Sequence, residues 1–123
     1  LWQWFRENNI VLTTQERGLS SHTEIAVDEA IHQALLERAI DLSGQNETFV
    51  LLTGDGAGYH QGRGFIAELE RVKKLGHQIE VISWDKGCNT RLKDFALSEG
   101  KYRNLESVYN KVTFVVNQRW VVS

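Results

Sequence analysis

The sequence predicts a three-layer α/β domain with a mainly parallel sheet flanked by helices. Short apolar runs, often β-branched, alternate along the chain with longer amphipathic segments. A glycine follows three of those segments, at Gly44, Gly76 and Gly100, where helices commonly end. Strands joined by helical crossovers run in the same direction, so this alternation favours a parallel sheet. The 123 residues suit one domain of ordinary size.

The first half of the chain predicts two helices and two strands. The aromatic segment Leu1–Arg6 indicates the end of a buried helix, and Ile10–Thr14 a buried strand. After a polar loop, Ile25–Leu42 carries apolar residues at three- and four-residue steps, as on one face of a helix. The continuous apolar run Thr48–Thr53 is typical of a strand that is buried on both faces.

The second half continues the alternation. Phe65–Leu75 and Thr90–Glu99 predict amphipathic helices on either side of a strand at Gln78–Trp84. We expect the last strand at Val112–Val116, with Trp120–Val122 extending it or pairing with it. Ligands of parallel sheets bind beyond the carboxyl ends of the strands. The candidate loops are therefore those that start at Gln15, Gly54, Asp85 and Asn117.

Composition and charge limit the possible partners and compartments. The formal net charge of -2 gives no general attraction to nucleic acid or membranes, so RNA contact would need a local basic patch. Cys88 is the only cysteine, which excludes an internal disulfide and favours a reducing compartment. No run approaches the ~20 apolar residues of a membrane helix. We therefore expect an intracellular protein, cytoplasmic or nuclear, with no membrane contact.

The segment Thr53–Gly56 (Thr-Gly-Asp-Gly) is the most distinctive motif. It puts the carboxylate of Asp55 directly after a buried strand, between glycines that let a ligand approach closely. Asp-Gly pairs also occur in ordinary tight turns, but a turn does not need the further glycines that follow here. A dinucleotide cradle would require glycine at position 59, which is Tyr59. We therefore interpret the motif as a functional acidic site.

A carboxylate that faces a polyanion is best explained by a divalent cation between them. Hard oxygen ligands suit Mg²⁺ or Mn²⁺. Asp28, at the start of the long helix, is the best second metal ligand beside Asp55; compensation of the helix dipole explains it equally well. Asp85 follows the next strand at the same edge, and Glu24 and Glu99 are further acids that could reach the site.

The loop Gly56–Gly64 is expected to be the substrate-facing lip of that site. Tyr59 could stack on an unpaired base and Arg63 could pair with a phosphate; the alternative is an ordinary surface loop. Thr53 and Ser83, at adjacent strand ends, either bind a ligand or cap the sheet. The expected substrate contacts are Thr53, Gly54, Gly56, Tyr59, His60 and Arg63.

These motifs resemble the NYN domains of the PIN-like nuclease superfamily. The resemblance is carried by Phe49–Gly56, Gly64-Phe65, Leu69, Gly76, Ser83, Leu92 and Tyr102–Leu105. It implies an acidic cluster at the carboxyl edge of a parallel sheet and Mg²⁺-dependent RNA cleavage, with Asp28 and Asp55 on two of the family's acidic positions. Position 57, often acidic in the family, is Ala57, and the late acidic position falls at Gly100 or Glu99. The family's first aspartate would lie before Leu1.

The resemblance implies a single NYN/PIN-like domain, residues 1–123, and we expect that it lacks its N-terminal strand. Three functional hypotheses follow. The principal one is a metal-dependent ribonuclease that hydrolyses RNA phosphodiester bonds. The alternative is a non-catalytic RNA- or nucleotide-binding module. A third is a protein-interaction domain with Trp2, Trp4 and Trp120 as its exposed patch. A homo-oligomer or a larger multidomain chain is compatible with each.

Overall fold

The computed structural model describes residues 2–12, 22–54 and 63–113, and for residues 22–26 and 63 it describes the backbone alone. In this part of the chain the order is α1 (Trp2–Glu7), α2 (His22–Asp41), β1 (Thr48–Leu52), α3 (Arg63–Lys74), β2 (Gln78–Ser83), α4 (Thr90–Glu99), β3 (Lys101–Asn104), a 3₁₀ turn (Glu106–Val108) and α5 (Tyr109–Val112). The strands form a parallel sheet in the order β1-β2-β3. The predicted α/β class with a parallel, helix-flanked sheet is confirmed, and the three-layer arrangement stays a prediction.

The core lies on one face of this sheet. Leu51 on β1 is in register with Val81 on β2, and both are buried against the helices. Val50 and Leu52 point to the other face and are 52% and 66% exposed. The prediction that Thr48–Thr53 is buried on both faces is therefore wrong, because that face of β1 stays exposed while the helices cover the other. The buried apolar cluster comprises Ala39, Leu51, Phe65, Leu69, Val72, Ile79, Val81, Leu92 and Ala96.

The strand β3 was not predicted, because its sequence Lys-Tyr-Arg-Asn has no apolar run. Backbone pairing with β2 holds it, and the Arg103 Nε atom lies 2.6 Å from Glu80 Oε1 across the two strands. It follows α4 after the single residue Gly100, where a Cβ atom would overlap the Ile79 carbonyl oxygen. The predicted strand at Val112–Val116 is wrong at Val112, which ends α5; residues 114–116 and 120–122 lie outside the described part.

The prediction of a strand at Ile10–Thr14 is wrong for its described residues, 10–12. Asn9 has a φ of 59°, its N–H donates to the Arg6 carbonyl, and the Ile10 N–H donates to the Phe5 carbonyl at 2.9 Å. This is a Schellman cap, so the backbone of Ile10 is part of the C-terminal cap of α1 and not of a strand. The helix itself is present, but Trp2 and Trp4 are exposed, which contradicts the expectation that it is buried.

The other predicted helices are confirmed with small shifts at their ends. The helix α4 spans the predicted residues, Thr90–Glu99, and begins where Asn89 Oδ1 accepts the N–H groups of Arg91 and Leu92. The helix α2 begins at His22, before the predicted Ile25. The helix α3 ends at Lys74, and Gly76 after it has a φ of 91°, which favours glycine.

His77 joins α2 to the amino edge of the sheet, the edge formed by the first residues of the strands. Its Nδ1 accepts the Glu47 N–H at 3.1 Å. The hydrogen of the neutral ring must then be on Nε2, which donates to the Ala39 carbonyl at 2.8 Å. The ring is buried and lies 4.9 Å from the Phe49 ring. One side chain therefore satisfies two backbone groups from different elements.

We expect His77→Ala to lower the free energy of unfolding by about 2–4 kcal/mol, because it leaves a cavity and two unsatisfied backbone groups. Urea unfolding followed by circular dichroism measures the change. Gln78→Ala, at the neighbouring exposed position, is the control and should change it by less than about 0.5 kcal/mol. Equal unfolding midpoints for the two variants would contradict the role of His77.

Candidate functional site

The ends of the three strands form the carboxyl edge of the sheet, and Ser83 connects them. Its hydroxyl is buried and donates to the Gly54 carbonyl at 2.7 Å. Its own carbonyl accepts the Leu105 N–H at 2.9 Å. On the β1 side, the Thr53 N–H donates to the Ile82 carbonyl at 3.1 Å. Ser83 therefore caps the sheet and fixes Gly54, the residue that precedes Asp55.

The loop from Trp84 to Asn89 lies beside the end of β1. The N–H groups of Gly87 and Cys88 both donate to the Trp84 carbonyl, which folds the loop into a tight turn. A Cβ atom built on Gly87 would lie 3.9 Å from the Gly54 carbonyl oxygen, ordinary van der Waals contact. The loop after β2 therefore borders the position from which Asp55 follows.

Asp85, the predicted acid at the end of β2, is held by two side chains. Its Oδ1 accepts hydrogen bonds from Lys93 Nζ at 3.0 Å and the Tyr102 hydroxyl at 2.8 Å. The bond from Lys93, followed by that from Tyr102, holds the pKa of the Asp85 carboxyl below its usual range. Burial and the bond to Asp85 raise the pKa of the Tyr102 hydroxyl. Asp85 is therefore a charged, already paired carboxylate at the rim of the edge.

Glu106 is a second carboxylate at this rim that the sequence analysis missed. Its oxygens accept the N–H groups of Asp85 at 3.0 Å and Lys86 at 3.4 Å. The bond from the Asp85 N–H holds the pKa of the Glu106 carboxyl below its usual range. Glu106 could have been predicted from a third strand that ends at Asn104, but the polar sequence of β3 does not indicate a strand. The segment after β3 is thereby tied to the loop after β2.

The helix α2 runs from the carboxyl edge toward the amino edge. Near its end, the Ala39 carbonyl binds His77 at the amino edge. Earlier in α2, the His32 ring stacks on Phe65 at 4.6 Å, near the start of α3. The close approach depends on Gly64, where a Cβ atom would lie 2.6 Å from the His32 ring. Asp28 is one turn before His32, so its half-buried side chain is at the carboxyl-edge end of α2.

The structure describes some of the predicted site residues, whereas others lie outside the described part of the chain. Asp28, the half-buried Thr53 and the exposed Gly54 lie at the carboxyl-edge end of their elements. Arg63 begins α3, with only its backbone described. Glu99, one of the further acids considered for the site, is at the opposite edge, where its backbone carbonyl and its carboxylate both bind Lys73 Nζ. Outside the described residues lie Asp55, Gly56, Tyr59 and His60.

Metal binding at this edge stays a prediction. Within residues 2–12, 22–54 and 63–113, no three His, Cys, Asp or Glu side chains come together as a metal would require. Asp85 Oδ1 and both carboxylate oxygens of Glu106 accept hydrogen bonds from other groups. Asp28 and Asp55 stay the predicted ligands to test, and their hard oxygen donors suit Mg²⁺ or Mn²⁺.

The charged state of Asp85 and Glu106 should make stability pH-dependent. A carboxyl with a lowered pKa in the folded state stabilises the fold above its unfolded-state pKa and loses this contribution as pH falls through the lowered value. We expect the unfolding midpoint in urea to fall between roughly pH 5 and pH 3. The double variant Asp85→Asn/Glu106→Gln should fall less over that range.

The matched control for this pH titration is Asp94→Asn, at an exposed position of α4. It removes a surface carboxylate without touching the carboxyl edge and should keep the wild-type pH profile. A double variant with the full wild-type profile would show that these hydrogen bonds do not contribute to stability.

Comparison with known proteins adds no family to this geometry. No protein-family model, curated protein or solved structure matches the chain. In the described part of the chain, no helix is long and apolar enough to cross a membrane. The functional argument therefore depends on the carboxyl edge and on the residues that surround it.

Proposed function

We propose that this protein is a metal-dependent ribonuclease of the NYN type, in the PIN-like superfamily, with Asp28 and Asp55 as metal ligands. The observation that carries the proposal is that β1 ends and α2 begins at the same, carboxyl edge of the sheet. Gly54, held by Ser83, is the residue before Asp55. The helix α2 reaches the same end with Asp28, through the contact of His32 with Gly64 and Phe65. Asp28 therefore lies at the edge where β1 ends, and Asp55 comes soon after β1 in the sequence.

The chemistry of phosphodiester hydrolysis explains why carboxylates are needed there. Negative charge grows on the phosphoryl oxygens as water attacks, and a bound Mg²⁺ or Mn²⁺ would stabilise that charge and acidify the attacking water. The carboxylates of Asp28 and Asp55 would hold the cation and need no protein nucleophile. Gly54 and Gly56 leave room for the phosphate, and Thr53, Tyr59, His60 and Arg63 are the proposed contacts to RNA.

Cleavage of single-stranded and structured RNA by the full-length protein tests the proposal. With Mg²⁺ or Mn²⁺ we expect products that chelation abolishes. Asp55→Asn should lower the rate by about a hundredfold or more, and Asp28→Asn by about tenfold, because each removes a ligand charge. The matched control is Asp41→Asn, an exposed carboxylate at the amino-edge end of the same helix as Asp28; its rate should equal that of the wild type.

Two outcomes would contradict this function. Cleavage that is unchanged in Asp55→Asn would remove Asp55 from the mechanism. RNA binding that persists in chelator, together with no product in Mg²⁺ or Mn²⁺ even at high protein concentration, would instead support a binding module without turnover. A calorimetric Mg²⁺ titration of wild type and Asp55→Asn separates loss of metal binding from loss of RNA binding.

A further inference from the structure

Trp84 and Tyr109 form an aromatic pair at the carboxyl edge. Their ring centroids are 6.1 Å apart and their planes meet at 68°, an edge-to-face arrangement. Trp84 is half-buried directly after β2, whereas Tyr109 is 55% exposed at the start of α5. A large part of the Tyr109 side chain is therefore accessible while Trp84 supports it from one side.

The segments that carry the two rings are held in place before any ligand binds. Glu106 accepts N–H groups from Asp85 and Lys86, which fixes the turn after Trp84. On the Tyr109 side, Asn104 Oδ1 accepts the Ser107 N–H at 2.9 Å, and the Ser107 hydroxyl donates to the Asn104 carbonyl. An ordered aromatic surface loses little conformational entropy when a flat ligand stacks on it.

This aromatic pair is close to the proposed cleavage site. Trp84 begins the turn whose Gly87 lies in van der Waals range of the Gly54 carbonyl. Asp55 follows Gly54 directly in the chain. A nucleotide stacked on the pair would thus lie at the same edge of the sheet as the end of β1, which Asp55 follows in the sequence.

The charges around the pair suit a phosphate backbone. Lys86 is exposed in the turn that follows Trp84. Lys111 lies two residues after Tyr109 on α5 and so points to the other side of that helix. The two nearby carboxylates are already engaged, Asp85 by Lys93 and Glu106 by backbone N–H groups. An anionic strand would therefore meet one accessible cation, Lys86, and two carboxylates whose charge is partly compensated.

We propose that Trp84, Tyr109 and Lys86 form a subsite for one unpaired nucleotide of single-stranded RNA, with the base on the Tyr109 ring and a flanking phosphate at Lys86. The inference rests on the proposed function, because it takes RNA as the ligand of this edge. Base stacking on an aromatic side chain tolerates every base, so the subsite selects unpaired strands and not a particular sequence.

Fluorescence anisotropy of labelled single-stranded RNA, measured with the full-length protein in chelator, tests the subsite without cleavage. Tyr109→Ala should weaken binding about 5- to 100-fold, and Tyr109→Phe should bind like the wild type. Tyr109→Leu is a second variant that keeps an apolar contact with Trp84 but cannot stack, and it should weaken binding as Tyr109→Ala does. Circular dichroism verifies that each variant is folded.

The salt dependence of binding tests Lys86. Lys86→Gln should lower affinity and reduce the slope of log affinity against log salt by about one phosphate contact. The matched control is Lys74→Gln, at an exposed position near the amino-edge end of α3. This variant should have the same salt dependence of RNA affinity as the wild type. Duplex RNA of the same sequence should bind with no dependence on Tyr109.

The outcomes separate the subsite from the proposed catalysis. Wild-type affinity in folded Tyr109→Ala and Tyr109→Leu would overturn the subsite, even if metal-dependent cleavage is found. Binding that depends on Tyr109 and Lys86, without cleavage under any condition, would support the subsite and refute the hydrolytic function. The subsite is also overturned if the wild type has no measurable affinity for single-stranded RNA.

Discussion

The buried hydroxyl of Ser83 is the constraint on which the carboxyl edge depends. It lies at the end of the central strand, where its donor bond reaches Gly54 on one side and its carbonyl receives Leu105 from the other. A hydroxyl in an apolar core is costly unless it is bonded, so its position and that of Gly54 determine each other. The ends of all three described strands are thereby set relative to one another, and with them the turn that follows β2.

The two edges of the sheet differ in how their polar groups are used. At the amino edge, His77 connects the end of α2 to the residue before β1, and the Lys73–Glu99 pair connects the ends of α3 and α4. At the carboxyl edge, Tyr109, Lys86 and Gly54 are exposed, and the carboxylates of Asp85 and Glu106 are hydrogen-bonded at the rim. The polar contacts of the amino edge therefore stabilise the fold, whereas the carboxyl edge leaves a cation, an aromatic ring and backbone accessible.

The sequence predicts those parts of the fold whose signal is local. The helix Thr90–Glu99 has an apolar face, a capping asparagine and a final glycine, so its bounds could be predicted. The strand Lys101–Asn104 could not, because backbone pairing and the contact of Arg103 with Glu80 hold it, and neither leaves an apolar pattern. The edge position of Ser83 and Asp85 was predictable from strand order. The bonds to Glu106 and Tyr102 were not, since they follow from the missed strand.

Only Gly100 separates α4 from β3, so the position of the helix end fixes the register of that strand. The Gly100 N–H still belongs to α4, bonded to the Ala96 carbonyl, while its backbone already lies against Ile79. Successive side chains of a strand point to opposite faces. Inserting one residue here would exchange the faces of Tyr102 and Arg103, removing the phenol from Asp85 and turning a guanidinium toward the apolar core. An insertion of one residue should therefore destabilise the protein more at this junction than in the turn after β2.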